Sequence, residues 1–140
     1  MQPNTEPVQQ LALRIWSALR KRDWERVRAL LHPDAELQAG VASDQLLSRE
    51  FAVTATEVGV ASETYEPKMN SFEALDAHNV LIAGDTFHRR PGGDVAKRHT
   101  IWLFTFENNL LIRSRLFVSI PEALAFHAEV SRSATSADWA

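Results

Sequence analysis

Asp85 and Arg98 are the pair of residues whose types and spacing carry the most chemistry in this chain. A carboxylate in apolar surroundings has its pKa raised toward working pH and can act as general acid or base. A neighbouring guanidinium instead forms an ion pair that holds that pKa down. The two residues flank Arg90-Pro91-Gly92-Gly93-Asp94, a turn signal because Gly tolerates positive φ. An even-numbered loop there sets Asp85 opposite Thr100 and Phe87 opposite Arg98. Strand side chains alternate between faces, so Leu81, Ala83, Asp85, Phe87, Arg98, Thr100, Trp102, Phe104 and Phe106 share one face. His78, Val80, Ile82, His88, His99, Ile101 and Leu103 share the other. Asp85 and Arg98 then stand diagonally, at ~7–8 Å. An odd-numbered loop shifts the register by one and separates them.

The remaining chemistry is narrower. Cysteine is absent, which removes disulfides, thiolate nucleophiles and Cys-based metal sites. The five histidines include no i, i+4 pair, so no metal site is expected and no cofactor is implied. A formal net charge of -3 with scattered Lys and Arg lacks the footprint of a nucleic-acid binder. No window approaches the ~18 apolar residues of a membrane span. With no basic stretch and apolar run at the start, a cytoplasmic location is expected.

These residues need elements to position them, and 140 residues with 45 % hydrophobic content fit one domain with one core, ordered over about 6–130. Val8, Leu11, Ala12, Ile15, Trp16 and Leu19 form one apolar stripe on a helix over about 6–21. Asp23 reads as the N-cap of a second helix carrying Trp24, Val27, Leu30 and Leu31, which Pro33 stops. A short strand follows at about 35–39. Ser43–Val58 is expected to be a third helix with Leu47, Phe51, Ala55 and Val58 inward, Ser43 or Asp44 as cap and Gly59 just past its end. From Glu63 the period becomes two, giving strands over about 63–74, 78–89, 96–107 and 110–119 joined by short turns. Ser119-Ile120-Pro121-Glu122 matches a capping box for a last helix over about 121–130, with a frayed tail that includes Trp139. The order predicts an α+β domain: a curved antiparallel sheet wrapped around a pocket, three N-terminal helices packed on it and a short C-terminal helix.

The run Ala18-Leu19-Arg20-Lys21-Arg22-Asp23-Trp24 through His32-Pro33-Asp34-Ala35-Glu36-Leu37 resembles the opening of the nuclear-transport-factor-2-like superfamily. Thr100–Asn109 with Arg113–Phe117 is similar to that family's last hairpin, and Pro121-Glu122-Ala123-Leu124 to its closing helix. The family's cystatin-like cone hosts ketosteroid isomerases, scytalone dehydratases, limonene-epoxide hydrolases and SnoaL-type polyketide cyclases. The resemblance implies the cone and its cavity, and places the Trp102 face toward the cavity. It does not carry the chemistry across. The isomerase Tyr falls near Ile15 or Trp16, its base Asp at Ala39 and its oxyanion-hole Asp at Trp102. The dehydratase's Tyr-Asp pair falls at Leu19 and Arg20, and the cyclase Asp at Ser119 or Ile120.

The expected cavity wall is therefore Ile15, Trp16, Leu19, Phe87, Arg98, Thr100, Trp102 and Phe104, with Asp85 as the one catalytic candidate and an ion pair to Arg98 as its structural alternative. In the last hairpin, a two-residue turn at Asn108-Asn109 points Arg113 and Arg115 inward. A three-residue turn puts Ile112, Ser114, Leu116 and Val118 there instead. Burying unpaired arginines is costly, which favours the second arrangement. Val80, Ile82, Ile101 and Leu103 make the opposite face apolar, so a covering helix or a homodimer is expected there. Two functions fit. One is an isomerase, dehydratase or cyclase acting on an apolar polyketide-, steroid- or terpenoid-like compound. The other is a non-catalytic dimeric binding or scaffold domain.

Overall fold

The computed structural model describes residues 5–41 and 43–138, with side chains through Arg132. Helix α1 (Val8–Arg20) lays the predicted stripe inward, burying Val8, Leu11, Ala12, Ile15 and Ala18. It ends where Asp23 N–H bonds to the Ala18 carbonyl, with Arg22 at φ 58 closing the turn. Asp23 caps α2 (Trp24–Ala29) by accepting from the Arg26 N–H. The cap is as expected, but the stop is not. The helix ends at Ala29, and Pro33 lies inside β1 (Leu31–Gln38), in the irregular stretch between the paired residues Leu31 and Glu36, where no ladder bond is lost.

The third helix is the largest departure from the sequence reading. Leu46–Leu47 forms a short strand, β2, and α3 runs Arg49–Ala61, capped by Ser48. Its buried positions are Val53 and Gly59, while Phe51 and Val58 are 66 % and 61 % exposed. Phe51 and Val58 of the expected stripe thus face outward, while Leu47, now on β2, and Ala55 border the concave side. Gly59 lies within the helix and not beyond it, because β3 passes so close that an added Cβ would sit 3.0 Å from Tyr65 Cβ.

Strands β3 (Tyr65–Ala74), β4 (Asn79–Arg89), β5 (Val95–Glu107) and β6 (Leu110–Phe117) make the expected antiparallel meander. The six-stranded sheet, ordered β2-β1-β6-β5-β4-β3, is mixed, because β1 returns from the helices to run parallel to β6. Two features curve it. Asn70 is the extra residue of a bulge in β3, and Gly84 opposite admits the β3 backbone so closely that a Cβ there would lie 2.0 Å from the Lys68 carbonyl. Helices α1 to α3 close the concave side over Val80, Ile82, Trp102, Phe104, Phe106 and Leu111, forming an open α+β cone.

Helix α4 (Ile120–Asp138) begins at the predicted box, with Ser119 Oγ accepting from the Glu122 N–H, and continues past the expected end at 130. Trp139 lies outside the described residues. Ala123 packs α4 on the convex face against Leu81 and Ile101. His127 Nε2 lies 2.7 Å from Asp76 Oδ2, tying the helix to the β3–β4 turn. Burial pushes the Asp76 carboxyl up, but His127 and the donors of His78 and Asn79 more than offset this and hold it below 3.8. No described helix is long and apolar enough to cross a membrane.

Candidate functional site

The register of β4 against β5 decides which side chains see the cavity. Five residues separate Arg89 from Val95, and Arg90 N–H bonds to the Asp94 carbonyl around Gly93 at φ 92. The loop is odd-numbered. Ile82 therefore pairs with Trp102, Gly84 with Thr100, Asp85 with His99 and Thr86 with Arg98. Asp85 and Phe87 stand on the convex face, opposite to where the even-loop reading put them. The expected Asp85–Arg98 pair does not form: Asp85 Oδ1 instead lies 3.9 Å from Nδ1 of His99. Val80 and Ile82, expected outside, are fully buried inside.

The concave side encloses a cavity of about 770 Å³. Of the expected wall, Ile15, Leu19, Arg98, Thr100, Trp102 and Phe104 line it. Trp16 does not; it borders a separate small crevice with Trp24 and Pro67. The last hairpin reaches the favoured arrangement by a different route. Its turn has two residues, Asn108 and Asn109, both at positive φ, and a bulge at Ile112 restores the alternation. Ser114, Leu116 and Val118 face the cavity, and Ile112 is not among its lining residues. Arg113 and Arg115 point outward, toward Glu36 at 3.9 Å and over the Phe126 ring at 5.7 Å respectively.

Beside the expected Thr100, the shifted register brings inside Thr86, which the sequence reading passed over, and His88, which it placed on the other face. Thr86 and Thr100 are 4 % and 2 % exposed, with their hydroxyls 3.0 Å apart. Thr100 Oγ1 donates to the Arg98 carbonyl at 3.2 Å, which uses its one proton. Thr86 must then donate to Thr100, and His88 Nε2, 3.2 Å from Thr86 Oγ1, must donate to Thr86. This proton count fixes neutral His88 as the Nε2–H tautomer and leaves Nδ1 as its open acceptor. Burial, assisted by the nearby Arg98 charge, holds the His88 pKa below 6.5. The imidazole is thus neutral, a base, at neutral pH.

Tyr65, directly opposite His88 on β3, completes the constellation. The rings lie 5.3 Å apart, tilted by 59°. Burial pushes the Tyr65 phenol up to about 12, so it stays protonated and can donate a hydrogen bond toward the cavity. The arrangement is one base, one neutral donor and one cation at the same end of an apolar chamber. No Asp or Glu lines the chamber among the described residues, and no group of three potential metal ligands occurs among them.

The signal that could have found His88 was loop parity alone. Both faces of β4 and β5 carry apolar residues at alternate positions, so hydrophobic periodicity does not distinguish them.

No protein-family model and no curated protein matches the sequence. Solved structures do match in fold. An NTF2-like protein of unknown function from Burkholderia pseudomallei superposes with TM-score 0.61 at 17 % identity, covering 83 % of this chain and 93 % of that one. A putative polyketide cyclase from Pseudomonas putida gives 0.64 at 12 % identity, covering 83 % and 94 %. A Mycobacterium tuberculosis protein in complex with estradiol-17beta-hemisuccinate gives 0.64 at 10 % identity, covering 79 % and 92 %. The chain has the fold of the NTF2-like proteins.

Proposed function

We propose that this protein binds an apolar small molecule in the cone and transfers a proton on it, as an isomerase, dehydratase or cyclase of a polyketide-, steroid- or terpenoid-like compound. The observation that carries the reading is His88. It is neutral, fixed by Thr86 in one tautomer, and sits on a cavity whose volume is in the range of drug-sized ligand sites, ~300–1,000 Å³. Nδ1 takes a proton from an acidic C–H or O–H of the substrate, and the Nε2–H bond to Thr86 persists in the imidazolium. Charge that develops on a substrate oxygen meets the Tyr65 hydroxyl. The cyclase and the steroid complex among the structural neighbours support a ligand of this class.

One observation favours the binding reading without turnover: among the described residues no carboxylate lines the wall to work beside His88. A thermal-shift screen with hydroxylated steroids and polyketide-like aromatics, followed by turnover assays of the hits, separates the two. A ligand at 100 times its Kd stabilises the fold by about 2.7 kcal/mol. Trp102→Leu should remove the shift, while His88→Gln should leave it and abolish turnover. Because the His88 pKa lies below 6.5, kcat/KM should fall in acid as the base protonates, with its midpoint below pH 6.5. No shift with any ligand defeats the proposal, and a shift without turnover leaves only the binding function.

A further inference from the structure

The wall of the cavity is apolar for most of its extent, and its charge is lopsided. Among the described residues its one permanently charged side chain is Arg98, with His88 and His99 also in the wall; no carboxylate lines it, the nearest one, Asp85, lying on the other face against His99. Arg98 has no ion-pair partner among the described residues. Its position is fixed by the pairing with Thr86 and by the bond from Thr100 to its own carbonyl, while its side chain stays exposed. The hairpin from Asp85 to His99 carries Arg89, Arg90, Lys97 and Arg98 against Asp85 and Asp94, a local excess of cations in a chain whose net charge is -3. A guanidinium presents a planar fork of donors that matches a carboxylate. Further along the wall, Ile15, Leu111 and Phe104 offer hydrocarbon, broken only by the small Ser114 hydroxyl opposite Phe104.

We infer that the ligand is an amphiphile with an anionic head, a carboxylate or an equally acidic enol or phenol. The head seats against Arg98 at the polar end, and the apolar body runs toward Ile15 and Leu111. This rests on the cavity being a ligand site, as proposed above, and adds the ligand's charge and its direction of entry. Binding body first leaves the acidic end beside His88, so the proton that moves is one close to the head group.

Two dyes that differ by one group test the charge separately from the cavity. Anilinonaphthalene sulfonate and phenylnaphthylamine share an apolar body, and the first carries an anion. Their fluorescence on titration with the wild-type chain, Arg98→Met, Arg98→Lys and Ala52→Trp gives four pairs of Kd values. Ala52 lines the cavity from α3, so a Trp there fills it. Both dyes should bind, the sulfonate about five- to tenfold tighter, as a charge-assisted hydrogen bond at a half-open site supplies. Arg98→Met should remove that preference by weakening the sulfonate alone, Arg98→Lys should keep most of it, and Ala52→Trp should weaken both. If both dyes bind the wild type equally, or the preference survives in Arg98→Met, the anionic head is wrong while the cavity reading stands. If neither dye binds, or Ala52→Trp changes neither Kd, the cavity reading fails and takes this inference with it.

Discussion

On the inner face of β4 and β5, Val80, Ile82, Trp102 and Phe104 meet three helices and enclose a chamber. On the outer face of the same strands, Leu81, Ala83 and Ile101 meet one helix across a small cluster centred on Ala123. The side chains are similar in kind and number. What differs is what covers them: three helices converge on the inner face around the chamber, whereas a single helix lies across the outer one. Polar residues follow the same division. Inside, Thr86, Thr100 and His88 satisfy one another in a chain of hydrogen bonds. Outside, Asp85 and His99 meet at 3.9 Å, with His99 largely exposed.

The contrast can be broken first through packing. Ile82→Ala should cost about 2–5 kcal/mol in urea unfolding, because the side chain is fully buried among several elements that cannot all collapse onto the gap. Leu81→Ala should fall at the lower end of that range, since α4 can resettle, and amide exchange should quicken in α4 ahead of the sheet. Equal costs with uniform exchange would mean that α4 is as firmly built in as the inner helices.

A smaller effect isolates the clasp of α4. Asp76→Ala removes the acceptor shared by His127, His78 and Asn79 and should cost about 1 kcal/mol, discounted because the carboxylate is 40 % exposed. The folded state holds this carboxyl below 3.8, so the contribution is present above that pH and is lost as pH falls through and below it. Wild type and variant should therefore converge in acid; a gap that persists there would show that the charge is not what matters. The smallest effect expected is that of Asp85→Asn, within about 0.5 kcal/mol and with ligand-induced thermal shifts unchanged. A lost shift would return Asp85 to the cavity and overturn the register.

Much of the fold was legible because its signals are local. The α1 stripe, the Asp23 and Ser119 caps and the two hairpin turns each depend on a few neighbouring residues. The third helix was misread because Phe51 and Val58 imitate a buried stripe, while the buried positions are Val53 and a glycine pressed on Tyr65. The site was misread for a different reason. Its composition turns on whether the 90–94 loop counts as even or odd, and sheet register converts that single step into a complete exchange of faces. Arg98 and Thr100 were assigned to the chamber with Asp85, but Thr86, His88 and Tyr65 are the polar residues that join them there.

Gly84 is not among the residues that line the chamber, yet it holds together two of the strands that carry the lining. The β3 and β4 backbones lie so close at that point that only a residue without a side chain fits between them. A methyl group there must push the Lys68 carbonyl away, which shifts one strand against the other without altering one residue of the wall. Two proteins with identical linings can therefore differ in the molecules they admit, and the difference would lie at a seam between strands that an inventory of contacts overlooks.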